Sequence, residues 1–187
     1  MNAALLRRYV LPAALLLAGV FLLFQLYAYW QYSRPVFDGQ GRLLRLPDFE
    51  FRGFGPGDVC TPRNFHRGPA VVVYYGPDCA HCRKLGTEVA LRQAELGHIN
   101  WLFVTRAPME EARSYAVATG LSRHQSVFMG LDENAAFYQY FGDMYIPSTY
   151  VFDSDRKFLQ TLHQDTGVDD LLQVVAGNKV NRPKSAR

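Results

Sequence analysis

Two cysteines, Cys79 and Cys82, stand three positions apart in YYGPDCAHC (residues 74–82), with His81 between them and the basic pair Arg83-Lys84 behind. Such a pair can staple a small fold, supply half of a tetrahedral metal site, or carry two electrons as a reversible disulfide. Three cysteines in 187 residues do not make a disulfide scaffold. A structural zinc site takes four ligands, usually from a second CxxC or a spaced histidine pair. No second CxxC occurs, and His66, His98, His124 and His163 are scattered. Thiol–disulfide exchange fits the pair best: a thiolate attacks a disulfide, and a neighbouring thiol resolves the mixed disulfide.

The flanking sequence says how the sulfurs would be held. AVVVYY (70–75) is a continuous apolar, β-branched run, the pattern of a strand buried on both faces. Residues 79–96 follow as a helix, with Leu85, Val89, Leu91 and Leu96 on an irregular apolar face. Cys79 at the first helical position sets its sulfur against unpaired N–H groups and the positive end of the helix dipole, which favour thiolate. Cys82 lies one turn on, on the same face and within disulfide reach. Positive charge from His81, Arg83 and Lys84 would stabilise the reduced form and raise the reduction potential, and Asp78 would oppose this.

The remaining elements alternate. LPDFEF (46–51) and Asp58–Thr61 read as a β-hairpin around the turn-rich RGFGPG. Strands are expected at 99–105 and 126–131, and helices at 109–119 and 133–141. A strand pair at 148–153 and 158–163 and a last helix at 168–176 complete the order. That order implies an α/β fold, a mixed sheet with helices on its faces. Hydrophobic content of 49% is ample for a core. The net charge of +3 comes without a basic, aromatic-studded stripe, so nucleic acid is not an expected partner.

The N-terminus carries a separate signal. After Arg7-Arg8, the 25 residues Tyr9 to Ser33 hold no charge, and Tyr27, Tyr29, Trp30 and Tyr32 crowd the far end. A bilayer's hydrocarbon core needs about 20 apolar helical residues, and aromatic rings gather at its interfaces. A cleaved secretory signal has a shorter apolar core and a small-x-small end, which this run lacks. The expected organisation is an uncleaved single-pass membrane anchor over 1–33, a linker over 34–45, a catalytic domain over 46–176 and a flexible basic tail over 177–187. Arginines on both sides of the span nearly balance; the redox reading places the domain on the extracytoplasmic, periplasmic side.

Strand–CxxC–helix resembles the signature of the thioredoxin fold, and IPST (146–149) resembles its second signature, a cis-proline before a strand facing the active site. The stretch from LPDFEF through the cysteine pair is similar to the start of membrane-anchored redoxins of the TlpA/ResA (AhpC/TSA-like) type. The resemblance implies Cys79 as nucleophile, Cys82 as resolving thiol and Pro147 as the cis-proline. It implies protein thiols and disulfides as substrates, a redox partner that recycles the pair, and a role such as cytochrome c maturation. No organic cofactor is expected, because the cysteines carry both electrons. Departures from the family pattern bear on direction. Val73 stands where thioredoxins keep a buried Asp, and Ala80 where ResA-like reductases often place Glu. His81 resembles the CxHC of DsbA-like oxidases, whereas Ile146 is the thioredoxin-like choice. Reduction of disulfides is the leading expectation and oxidation the second.

Two rivals share the fold. Sco-type copper chaperones use two cysteines and a distant histidine, and His163 is placed for that role, though they space the cysteines CxxxC. Peroxiredoxins carry a hydroxyl three residues before the reactive cysteine, where this chain has Gly76. Cys60 reads as a small buried residue of the hairpin rather than a regulatory thiol. Phe137, Tyr138, Tyr140, Phe141 and Tyr145 could edge a partner-binding surface near Pro147, but such a cluster is more often core and half-core packing.

Overall fold

The computed structural model describes residues 3–32, 36–142, 144–163 and 166–177. It divides into two compact units, Met1–Pro35 and Val36–Arg187. In the first unit a single helix, α1 (Ala3–Tyr32), is rich in Leu and Ala, good helix formers that outweigh Pro12 and Gly19 within it. Its described side chains, residues 13–27, are all exposed. Among the described residues no helix is long and apolar enough to cross a membrane.

The second unit is built on one mixed sheet. Its strands are β1 (Phe51–Arg52), β2 (Val59–Cys60), β3 (Ala70–Tyr74), β4 (Asn100–Thr105), β5 (Val127–Leu131), β6 (Ser148–Phe152) and β7 (Phe158–His163). They lie in the order β2-β1-β5-β4-β3-β6-β7. The β3–β4 and β4–β5 pairs are parallel, as their helical crossovers require, and the hairpins at both edges are antiparallel. The helices are α2 (Ala80–Leu91), α3 (Gln93–Leu96), α4 (Met109–Thr119), α5 (Phe137–Phe141) and α6 (Val168–Val175).

Both faces of β3 are buried, and its period of two splits the core. Val71, Val73 and Tyr75 join Leu85, Val89, Trp101, Phe103, Tyr115 and Leu171 in one layer. Ala70, Val72 and Tyr74 join Phe49, Phe51, Leu102, Phe137 and Phe152 in the other. The first layer is the one that receives Cys82 from α2.

Several boundaries differ from expectation, each for a local reason. The expected strand 46–51 contracts to Phe51–Arg52, since Pro47 offers no N–H to a ladder. The expected helix 79–96 breaks at Arg92, whose guanidinium turns to Glu95 and Asp169 at 2.9 and 2.7 Å. The helix expected over 133–141 starts only at Phe137. The Asp132 carboxylate accepts from the amides of Ala136 and Phe137, and Ala135 takes a positive φ of 53°. In the expected linker, Phe37 bridges Leu43, Arg45 bridges Lys157, and Leu43 is buried. Of the expected tail, residues 178–187 lie outside the described residues.

Candidate active site

β3 ends at Tyr74, in the centre of the sheet, and Tyr75-Gly76-Pro77-Asp78 turns the chain into α2. Cys79 is the N-cap of α2 rather than its first helical residue, with φ −74° and ψ 117°. In that position its Sγ does what an N-cap oxygen ordinarily does: it accepts the amide of Cys82, at 3.2 Å. The residue is partly exposed. An N–H donor and the positive helix end both stabilise negative charge on its sulfur.

Cys82 is the opposite case. It is 1% exposed and faces the core layer below the sheet's centre. Burial pushes its thiol up to about 12, the Cys79 sulfur beside it adds to the rise, and backbone groups of Gly76 and Cys82 pull it partly back. All three cysteines are free thiols. The pair therefore holds one sulfur dressed by a donor on a partly exposed residue and one sheltered sulfur that keeps its proton.

The surrounding residues hold this asymmetry. Arg83 folds back over the preceding turn, its Nε donating to the Pro77 carbonyl at 2.7 Å, with an exposed Asp78 carboxylate 3.5 Å away. Arg83 and Asp78 thus form one exposed pair beside Cys79, and His81 and Lys84 are exposed on the first turn of α2. The Ile146–Pro147 peptide is cis, as the resemblance implied. Ile146 covers the loop: a Cβ at Gly76 would lie 3.4 Å from Ile146 and 3.8 Å from the Cys79 Cβ. Cys79, Gly76 and Ile146 thus meet at one end of the sheet, with Pro147 next in the chain.

Other expectations resolve individually. His163 ends β7 opposite Ser148, its Nδ1 3.1 Å from the Ser148 hydroxyl and its ring edge-on to Tyr145. Among the described residues no group of three or more His, Cys, Asp or Glu could hold a metal ion. Cys60 is buried at the sheet edge and donates to the Met129 carbonyl at 3.3 Å, and burial raises its thiol to about 11. Phe137 and Phe141 are core, whereas Tyr138 and Tyr145 are exposed. Val73 is wholly buried in the layer that holds Cys82, so an apolar side chain fills the position where thioredoxins keep a buried carboxylate.

Three residues near Cys82 went unread in the sequence. The Tyr115 hydroxyl donates to the Cys82 carbonyl at 2.7 Å. The Tyr75 ring stacks on Tyr115 at 4.2 Å. Gly86 makes room for that arrangement, since a Cβ there would sit 2.6 Å from the Tyr115 oxygen. The signal available was Gly86 itself, a glycine in a helix interior.

No family model matches the chain, and no curated protein matches it by sequence. Solved structures do. A secreted Mycobacterium tuberculosis disulfide oxidoreductase homologous to Escherichia coli DsbE superposes with a TM-score of 0.58 at 16% identity, over 70% of this chain and 96% of that one. Peroxidoxin BcpB from Mycobacterium tuberculosis gives 0.60 at 17% identity, over 73% and 96%. A thioredoxin-like protein from Aeropyrum pernix gives 0.58 at 13% identity, over 70% and 89%. The fold is thioredoxin-like, and the solved structures that share it include disulfide oxidoreductases.

Proposed function

We propose that the chain is a thiol–disulfide oxidoreductase acting on proteins, with Cys79 as nucleophile and Cys82 as resolving thiol. One observation carries this reading: the Cys79 sulfur caps α2 and accepts the Cys82 amide on a partly exposed residue, while Cys82 is buried one turn behind it. In the reducing direction the Cys79 thiolate attacks a substrate disulfide and expels the first substrate sulfur. Cys82 then attacks Cys79 in the mixed disulfide, releasing the second substrate sulfur and leaving a Cys79–Cys82 disulfide. Two electrons pass to the substrate, and a separate dithiol must return them. Ile146 and Pro147 border the approach to Cys79, where an incoming segment can pair as an added strand. The apolar N-terminal helix is proposed as a single-pass tether with the domain outside the cytoplasm, which suits maturation of exported thiol proteins such as cytochromes c. A DsbE-homologous oxidoreductase among the similar structures supports that setting.

The test uses the full chain in detergent with insulin as substrate. Wild type reduces insulin in the presence of a small dithiol, Cys79→Ser is inactive, and Cys82→Ser accumulates a covalent adduct through Cys79. Wild-type turnover in Cys79→Ser would reject the mechanism. The reduction potential of the pair fixes the direction: a thioredoxin-like value supports reduction and a DsbA-like value oxidation. Tight Cu(I) binding lost in His163→Ala would instead support a copper chaperone.

A further inference from the structure

Deprotonating Cys82 is the difficult step in this site. Its thiol must lose a proton in a buried layer before it can attack, and Val73 and Ala80 supply no carboxylate. Two polar groups in that layer are idle among the described residues, the Trp101 indole N–H and the Tyr75 hydroxyl. The Tyr75 hydroxyl is buried and has no hydrogen-bond partner among the described residues. Buried hydroxyls are nearly always satisfied, because an unpaired one costs stability that a phenyl ring would not. Tyr75 packs in the same core layer as Cys82, and its ring lies against Tyr115, whose own hydroxyl is already committed to the Cys82 carbonyl. Of the two idle donors, Tyr75 is the one stacked on the tyrosine that holds Cys82.

We propose that Tyr75 is a positioning residue for the resolving step, its O–H donating to the Cys82 sulfur as negative charge develops there. The inference rests on the oxidoreductase reading above. The balance is simple. In the mixed disulfide, Cys82 S–H gives up its proton, which ends on the departing substrate thiolate. The Cys82–Cys79 bond forms, the Cys79–substrate bond breaks, and the substrate leaves as a thiol. Tyr75 keeps its own proton throughout and acts as a neutral donor.

The electrostatics agree with that role. Burial first, and then the Cys82 charge, hold the Tyr75 phenol well above its ordinary range, so it stays protonated where Cys82 ionises. In the dithiol, Cys79 helps keep Cys82 protonated. Once Cys79 is bonded to substrate, that opposition is gone, and burial is what the Tyr75 donor offsets. Among the described residues the titratable groups that share charge interactions with Cys82 are Cys79 from the α2 cap, Tyr75 from the end of β3 and Tyr115 from α4, and both tyrosines pack in its core layer. His81, Arg83 and Lys84 lie on the exposed side of α2.

The test compares wild type with Tyr75→Phe as the full reduced chain in detergent, reacted with dithionitrobenzoate from neutral to alkaline pH. The first release of thionitrobenzoate reports attack by Cys79, and the second reports resolution by Cys82. Tyr75→Phe is expected to unfold at or above the wild-type temperature and to keep the first rate. Its second step is expected to slow about tenfold at neutral pH, with the profile displaced about one unit to higher pH. Identical second-step profiles in the two proteins overturn the proposal. Equal slowing of both steps with a lower unfolding temperature also overturns it, because that marks a packing role. A wild type that releases no second equivalent overturns the oxidoreductase reading together with the inference.

Discussion

Gly86 on α2 and Tyr115 on α4 occupy one another's space. The Tyr115 hydroxyl reaches the Cys82 carbonyl at 2.7 Å only because position 86 has no side chain, and a Cβ there would meet that oxygen at 2.6 Å. α2 is thus fixed to α4 by a contact one turn beyond Cys82. Thr119 closes the other side, 3.2 Å from the same imagined Cβ.

Gly86→Ala should therefore destabilise the domain although alanine is the better helix former. Glycine-to-alanine in an open helix gains about 1 kcal/mol, but overpacking against a fixed ring costs about 1–3 kcal/mol. Tyr115→Phe, which gives up one buried hydrogen bond, should cost about 1 kcal/mol. Urea denaturation of the two single variants and the double variant checks this. The double should cost less than the sum of the singles, because removing the hydroxyl frees the space the new methyl needs. Strict additivity would mean that the two positions do not compete.

The raised thiols of Cys82 and Cys60 make the reduced protein alkali-sensitive. Both native values, about 12 and about 11, lie above the ordinary thiol value of 9.0, so between these limits the native state holds protons that the unfolded state has lost. Stability from these groups is complete below about pH 9 and is lost as pH climbs through the native values. Oxidising Cys79–Cys82 removes Cys82 from the titration and leaves Cys60. Denaturation midpoints measured against pH should fall more steeply above pH 9 for the dithiol than for the disulfide form. Parallel curves would show that Cys82 titrates as an ordinary thiol.

The legible parts of this protein were those fixed by local pattern. The β-branched run expected as a doubly buried strand over 70–75 forms β3, and the helix expected over 109–119 matches its bounds because Pro108 opens it and Gly120, at φ 82°, closes it. The cysteine spacing and IPST marked residues that the fold brings together at the candidate site. What stayed hidden depends on contacts distant in sequence. Tyr115 meets Cys82 across 33 residues, and no periodicity marks one tyrosine among eleven as the one that will reach a carbonyl. The break at Arg92 has the same origin, since Asp169, 77 residues away, helps to hold it.

Cys60 should prove silent in exchange. Its sulfur is buried at the sheet edge, donates to the Met129 carbonyl, and titrates far above neutrality, so it presents almost no thiolate to a disulfide. Cys60→Ala is expected to leave insulin reduction unchanged and to cost about 1 kcal/mol of stability. Under native conditions iodoacetamide should label Cys79 well before Cys60, as read by mass spectrometry of peptides. Comparable labelling rates, or lost turnover in Cys60→Ala, would restore a regulatory role for this thiol.

The proposed tether can be separated from the chemistry. Residues 13–27 of α1 present exposed apolar side chains on every face of the helix, including Leu16, Phe21 and Leu23. A helix apolar on nearly every side suits the proposed burial in lipid. Placing a lysine near the centre of a spanning helix costs about 2.5–3.5 kcal/mol on insertion scales. Leu16→Lys combined with Leu23→Lys therefore opposes insertion strongly while lying outside the Val36–Arg187 unit that carries Cys79 and Cys82. Wild type should stay with membranes after alkaline carbonate washing, and the double variant should be released with its insulin reduction intact. If wild type itself washes off, the helix lies on a surface or against another protein, and the single-pass reading fails while the redox reading stands.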